Sequence, residues 1–163
     1  LRALDKIYIH CSAGPRGDLD YIRRLHTDPK PKGNGWSHIG YHFVIGNGFP
    51  TYESWRTQNY QKSSDGKLWI GLPLGTEGIQ VRWDNRTSIG ICLIGNQRFT
   101  LRQFQTLAKL CRDLVHGQGI NPQMILGHRE YWILKGKPTK KTCPNFDMDW
   151  FRGYVKQILW EGR

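Results

Sequence analysis

Long apolar runs are missing from this chain of 163 residues. The longest, Ile89 to Gly95, is far short of the ~20 residues that a membrane-spanning helix needs. No transmembrane segment is expected. The first residues, Leu1 to His10, include Asp5 and Lys6 and lack the apolar segment of a secretory signal. Cysteine is scarce: Cys11, Cys92, Cys111 and Cys143 are the four thiols, too few for a disulfide scaffold. None forms a Cys-x-x-Cys pair, which argues against a structural zinc finger, and no His-Glu-x-x-His occurs. There is no internal repeat. Acidic residues are few. Thirteen Asp and Glu face 24 Lys and Arg, a net charge of +11 with His neutral. No block of like charges accompanies that excess, because Lys135 to Lys141 is broken by Gly, Pro and Thr; a basic tail is therefore excluded. The charge favours polyanionic partners: nucleic acid, anionic lipid or an acidic bacterial envelope. No helix-turn-helix, zinc-finger or RNA-recognition motif supports a specific nucleic-acid partner.

What is present fits one domain over residues 1–163. Lys6 to Cys11 reads as a strand, with Ile7, Ile9 and Cys11 on one face and Tyr8 and His10 on the other. Leu19 to His26 reads as a short helix capped by Asp18. Tyr41 to Ile45 reads as a strand that Gly46-Asn47-Gly48 turns into a partner near Pro50 to Ser54. Thr57 to Asn85 shows little periodicity and many turn residues, as a long functional loop would. Trp55, Tyr60 and Trp69 in this region suit either sugar stacking or packing. Ser88 to Ile94 reads as a buried strand. A helix is predicted from Leu101 to Gln118, with Thr100 and Gln103 as a capping box and Gly117 and Gly119 as stops. Met124 to Leu126 reads as a short strand, and Met148 to Trp160 as the last helix. The order β-α-β-β-β-α-β-α predicts an α/β fold, a single mixed β-sheet flanked by helices.

Six histidines need sorting. His26 beside Arg23 reads as solvated, and His116 suits a helix C-terminus. His38 falls in a loop. His42 follows Tyr41, so the two side chains point to opposite faces of a strand. His10 and His128 each end a short apolar strand, where a polar side chain emerges at a sheet edge. Cys11, Cys92 and Cys111 read as small buried hydrophobes. Cys143 differs, lying in Lys140-Lys141-Thr142-Cys143-Pro144, where cations favour the thiolate. Two imidazoles and one thiolate would make a catalytic zinc site with one open position. Spacing alone leaves the structural roles of these residues equally open.

Five segments in order carry a resemblance. They are Ile7-Tyr8-Ile9-His10-Cys11-Ser12-Ala13, then Gly40-Tyr41-His42-Phe43-Val44-Ile45, then Asn85-Arg86-Thr87-Ser88-Ile89-Gly90-Ile91-Cys92-Leu93-Ile94-Gly95-Asn96. Gly127-His128-Arg129-Glu130 and Lys141-Thr142-Cys143-Pro144-Asn145-Phe146-Asp147 complete the set. Together they resemble the zinc-dependent N-acetylmuramoyl-L-alanine amidases of the bacteriophage lysozyme and peptidoglycan recognition protein superfamily. The resemblance implies that His10, His128 and Cys143 bind Zn2+ and that Tyr41 and Lys141 assist catalysis. The implied reaction is hydrolysis of the amide between N-acetylmuramic acid and L-alanine in bacterial peptidoglycan, by a phage endolysin or a related lytic enzyme. It implies a monomer made in the host cytoplasm that reaches the wall at lysis. Two other readings are a non-catalytic peptidoglycan-binding protein, which typically lacks the cysteine ligand, and a cytosolic muropeptide-recycling amidase. One departure stands out. Many members carry a Ser-His-Ala or Ala-His-Ala element before the Asn-x-x-Ser-Ile-Gly strand. Here the corresponding stretch, Glu77-Gly78-Ile79-Gln80-Val81-Arg82-Trp83, has no histidine.

Overall fold

The structure, a computed structural model, describes residues 2–161. Five strands form one sheet: β1 (Lys6–Cys11), β2 (Phe43–Asn47), β3 (Asp65–Ile70), β4 (Ser88–Leu93) and β5 (Ile125–Gly127), in the order β3-β2-β4-β1-β5. β2, β4, β1 and β5 run parallel, and only the edge strand β3 is antiparallel to its neighbour. The five α-helices are α1 (Leu19–Thr27), α2 (Tyr52–Arg56), α3 (Leu101–Gln118), α4 (Glu130–Leu134) and α5 (Met148–Glu161).

Period-two alternation sets the layers. Ile7 and Ile9 of β1 join Ile89, Ile91 and Leu93 of β4 on the face covered by α3 and α5, where Leu107, Cys111, Phe151 and Val155 complete the core. Tyr8 faces the other way, into a cluster with Val81, Leu126 and Tyr131. His10 shares that second face by strand alternation, so burying the isoleucines aims His10 away from the main core.

Helix α3 has the predicted bounds and cap: Gln103 N–H donates to Thr100 Oγ1 at 3.0 Å and Thr100 N–H to Gln103 Oε1 at 3.0 Å. The Gln103 amide also donates to Ile45 O at 3.2 Å and Ile94 O at 2.8 Å. One capping side chain thus ties the helix to β2 and to the chain just beyond β4. Gly119, at φ 68°, ends the helix in the left-handed region, whereas Gly117 lies inside it.

Two expectations for the middle of the chain fail. Pro50 to Ser54 is not a strand. Thr51 and Ser54 form a capping box that starts α2 instead. The partner of β2 is β3, inside the segment read as a loop, with Val44 opposite Trp69 and Ile45 opposite Leu68. Gly66 is required there, because a Cβ would lie 2.8 Å from the Arg102 carbonyl oxygen. His26 is also not solvated. It is 9% exposed, its Nδ1 accepts the Gly40 N–H at 2.9 Å, and Trp36 packs on its ring at 4.6 Å. The 28–35 loop folds back over α1 through Asn34 N–H to Leu25 O and Trp36 N–H to His26 O, which closes water off from the ring.

Candidate metal centre

His10 lies near the carboxyl end of β1, between β4 and β5, and is 1% exposed. His128 directly follows β5, and its N–H donates to Ile9 O at 3.0 Å, so the β1–β5 ladder fixes its backbone. Their ring centroids are 4.6 Å apart. Cys143 arrives from the loop before α5, with Sγ 4.0 Å from His10 Nδ1. One ligand atom from each of the three lies within 4.8 Å of the others. The site occupies the carboxyl ends of adjacent parallel strands, the usual ligand position in open α/β sheets.

The Gly127-His128-Arg129-Glu130 motif is a clamp for the cysteine loop. Arg129 donates its N–H to Cys143 O at 3.0 Å, and its guanidinium reaches Thr142 O at 3.1 Å and Phe146 O at 2.8 Å. Gly127 lets the loop close in, because a Cβ there would lie 2.7 Å from Pro144 Cδ. Glu130 accepts the Gly127 N–H at 3.0 Å and pairs with Arg152 of α5 at 2.9 Å. Asn145 donates to Asn96 O at 2.6 Å, and the Cys11 N–H points at Cys143 Sγ at 3.4 Å.

Burial depresses the His10 pKa to about 3, with His128 and Lys141 adding repulsion. Burial and Lys141 hold His128 at about 4. Both rings are therefore neutral near pH 7 and keep a lone pair for a metal. His10 Nε2 meets Gln80 Oε1 at 2.5 Å, so Nδ1 is the nitrogen left for ligation. Contact with the Cys11 thiol and burial push the Cys143 thiol up. Its proton must leave when a cation arrives, which couples metal binding to proton release. Two imidazole nitrogens and one sulfur in this proximity fit zinc, which prefers that donor set.

Tyr41 packs on His10, with ring centroids 5.0 Å apart. Burial, with the nearby Cys92, Cys143 and Cys11 thiols, holds its pKa well above the usual phenol value, so the hydroxyl remains a donor. Lys141 is exposed. It lines a depression of about 610 Å³ with Arg129, Thr142, Asn145, Phe146 and Asp147, and its charge reaches both imidazoles. The five residues expected at the site are thus gathered in one region.

Sequence reading missed the supporting residues, chiefly Gln80, Arg129 and Asn145. The Asn-x-x-Ser-Ile-Gly motif signalled part of this support, because Asn85, Ser88 and Gly90 all contact Gln80. Of the aromatics near and within the long segment, Trp69 packs on the cluster around Val44. Tyr60 packs on Phe49 and donates to Asp65. Trp55 lines a separate cavity of about 390 Å³ with Phe49, Phe99, Asn96, Gln97 and Arg98.

Fold and site together define an α/β protein with a candidate His-His-Cys ligand set at the carboxyl ends of the strands of one mixed sheet. The sequence model of the N-acetylmuramoyl-L-alanine amidase family matches residues 1–146, and the chain belongs to that family. It is 27% identical over 156 residues to the endolysin of Enterobacteria phage K11, covering 88% of this chain and 82% of that one. It is 26% identical over 152 residues to the endolysin of Escherichia phage T7, with the same coverage. Among solved structures, the N-acetylmuramoyl-L-alanine amidase LysC from Clostridium intestinale URNW shares the fold, with a TM-score of 0.72 at 21% identity over 95% of this chain and 87% of that one. The Ph2119 endolysin from a Thermus scotoductus bacteriophage superposes with a TM-score of 0.62 at 27% identity, over 96% of this chain and 85% of that one.

Proposed function

We propose that this chain is a zinc-dependent hydrolase acting as a phage endolysin. It cuts the amide between the lactyl group of N-acetylmuramic acid and L-alanine in bacterial peptidoglycan. The observation that carries this reading is the convergence of His10, His128 and Cys143 within 4.8 Å in a chain of the amidase family. His10, His128 and Cys143 would hold zinc, which would supply a Lewis acid able to polarise a carbonyl and to lower the pKa of water toward neutrality. Tyr41, a protonated donor beside His10, orients the attacking water or the scissile carbonyl. The Lys141 ammonium stabilises the oxyanion that develops as the amide carbon becomes tetrahedral. Residues 1–163 act as one catalytic domain and work as a monomer, made in the host cytoplasm and reaching the wall at lysis.

Mass spectrometry of digested, purified peptidoglycan tests this directly. The expected products carry new alanine amino groups and no new reducing sugar ends. Reducing ends would mean a glycosidase, and retention on walls without any product would mean a binding protein. Cleavage confined to small muropeptides would mean a recycling enzyme. Metal analysis should give about one zinc per chain, lost in Cys143→Ser together with activity. A Cys143→Ser protein that still cleaves would refute the assigned ligand set.

A further inference from the structure

We propose that Gln80 is the positioning residue of the metal site. It holds His10 in the Nε2–H tautomer, so that the Nδ1 lone pair faces His128 and Cys143. The inference rests on the ligand set proposed above. Gln80 lies in the stretch just before the Asn85-x-x-Ser88-x-Gly90 motif, Glu77 to Trp83, which contains no histidine.

The direction of every proton follows from one backbone carbonyl. Asp84 O can only accept, and Ser88 Oγ lies 2.6 Å from it. The single Ser88 hydroxyl proton is therefore spent on Asp84. Ser88 Oγ, 2.7 Å from Gln80 Nε2, can then only accept, so Gln80 presents its amino group to Ser88. The other end of the amide, Oε1, is left facing His10 Nε2 at 2.5 Å. A carboxamide oxygen is an acceptor only, so Nε2 of His10 bears the proton and Nδ1 of the neutral ring does not. Turning the amide over would reverse the chain. Gln80 would donate to Nε2, Nδ1 would carry the hydrogen, and the nitrogen 4.0 Å from Cys143 Sγ could not ligate.

The rest of the Asn85-x-x-Ser88-x-Gly90 motif is the mount for this amide. Asn85 Oδ1 accepts the N–H groups of Gln80 at 2.9 Å and Val81 at 2.8 Å, fixing the backbone that carries the side chain. Gly90 gives the side chain room: a Cβ there would lie 2.8 Å from Gln80 Cγ and 3.0 Å from Cδ. Outer-shell partners of ligating histidines commonly are carboxylates or carbonyls. Here a neutral amide, oriented by a serine, does the same task.

Two readouts test this, neither of them turnover. The first is the His10 tautomer in metal-free protein labelled with 15N-histidine. The wild type should show the Nε2–H form, and Gln80→Leu a mixture. The second is zinc affinity by competition with a chromophoric chelator. Gln80→Leu should bind zinc about 10- to 100-fold more weakly. Gln80→Glu, which keeps an acceptor toward His10, should stay near or above wild type. A purely packing role would instead favour Leu over Glu. Ser88→Ala covers the case in which Gln80→Leu fails to fold: Gln80 remains but is free to turn, so affinity falls and the tautomers mix. An Nδ1–H wild type, or Gln80→Leu with unchanged affinity, overturns the proposal. Wild-type protein that binds no zinc would instead overturn the ligand set, and the metal-free tautomer spectrum would still decide how Gln80 is oriented.

Discussion

His42 should make the stability of the metal-free protein fall as the pH falls. Its ring is fully buried. Nδ1 accepts the Gly90 N–H at 3.0 Å, and Nε2 lies 2.8 Å from Thr76 O and 2.8 Å from the Arg2 guanidinium. Protonation would set a second N–H against the Gly90 donor and place a charge where water does not reach. Burial, with repulsion from Arg2 and His38, lowers the pKa from 6.5 to about 4. Between those values the unfolded chain takes up a proton that the folded chain refuses. Stability attributable to this group is thus complete above pH 6.5 and declines as the pH falls toward 4. At about 1.4 kcal/mol per pKa unit, the whole window is worth ~3 kcal/mol, and about 2 kcal/mol is lost by pH 5. That is a sizeable part of the 5–15 kcal/mol that typically holds a domain together. The assay is urea unfolding of chelator-treated protein at about pH 7.5 and about pH 5, for wild type and His42→Gln. Glutamine can accept from Gly90 and donate to Thr76 but does not titrate. The other buried histidines contribute to both proteins and cancel in the comparison. Wild type should lose about 2 kcal/mol more than the variant over this range. Equal losses would refute the reasoning, whatever the variant's absolute stability.

Three further outcomes are expected. Gly127→Ala puts a methyl 2.7 Å from Pro144 Cδ and 3.0 Å from Met148 Cγ; it should cost about 1–3 kcal/mol in thermal or urea unfolding and weaken zinc binding as well. Lys141→Met should lower kcat by roughly 100-fold or more, the scale of one lost oxyanion donor, while zinc stoichiometry stays unchanged in metal analysis. The +11 charge should aid encounter with an acidic wall, so activity on whole walls should fall with salt more steeply than activity on a small neutral fragment; equal salt dependence would remove any role for the charge in encounter.

The elements that were legible in the sequence are those whose own residues carry the pattern. β1 alternates, α3 has an apolar stripe and a capping box, and β4 is an apolar run after its first residue, Ser88. β3 was not legible, because Asp65-Gly66-Lys67-Leu68-Trp69-Ile70 mixes poor strand formers with side chains that stay exposed at a sheet edge. Pairing with β2 makes it a strand, and spacing does not report pairing. At α2, the Thr51–Ser54 capping box is written in the sequence, but Gly46-Asn47-Gly48 is a strong hairpin signal that points instead to a strand there. His26 looked solvated because its cover, Trp36 and Tyr41, comes from a loop that folds back over the helix. The candidate ligands were legible through the motifs around them. Gln80 was not, because its bond to His10 joins residues 70 positions apart, and its amide direction depends on a backbone carbonyl.

His10 and Cys143 are 133 positions apart, so the candidate ligand set joins β1 to the loop before α5. A ribosome must have extended the chain past Cys143 before the three candidate ligands can meet. A chain broken off before Cys143 keeps the two imidazoles and loses the sulfur, however well its sheet forms. Under the proposed function, fragments that end before Cys143 lack the complete candidate metal site, so activity should appear only once the polypeptide extends past that residue.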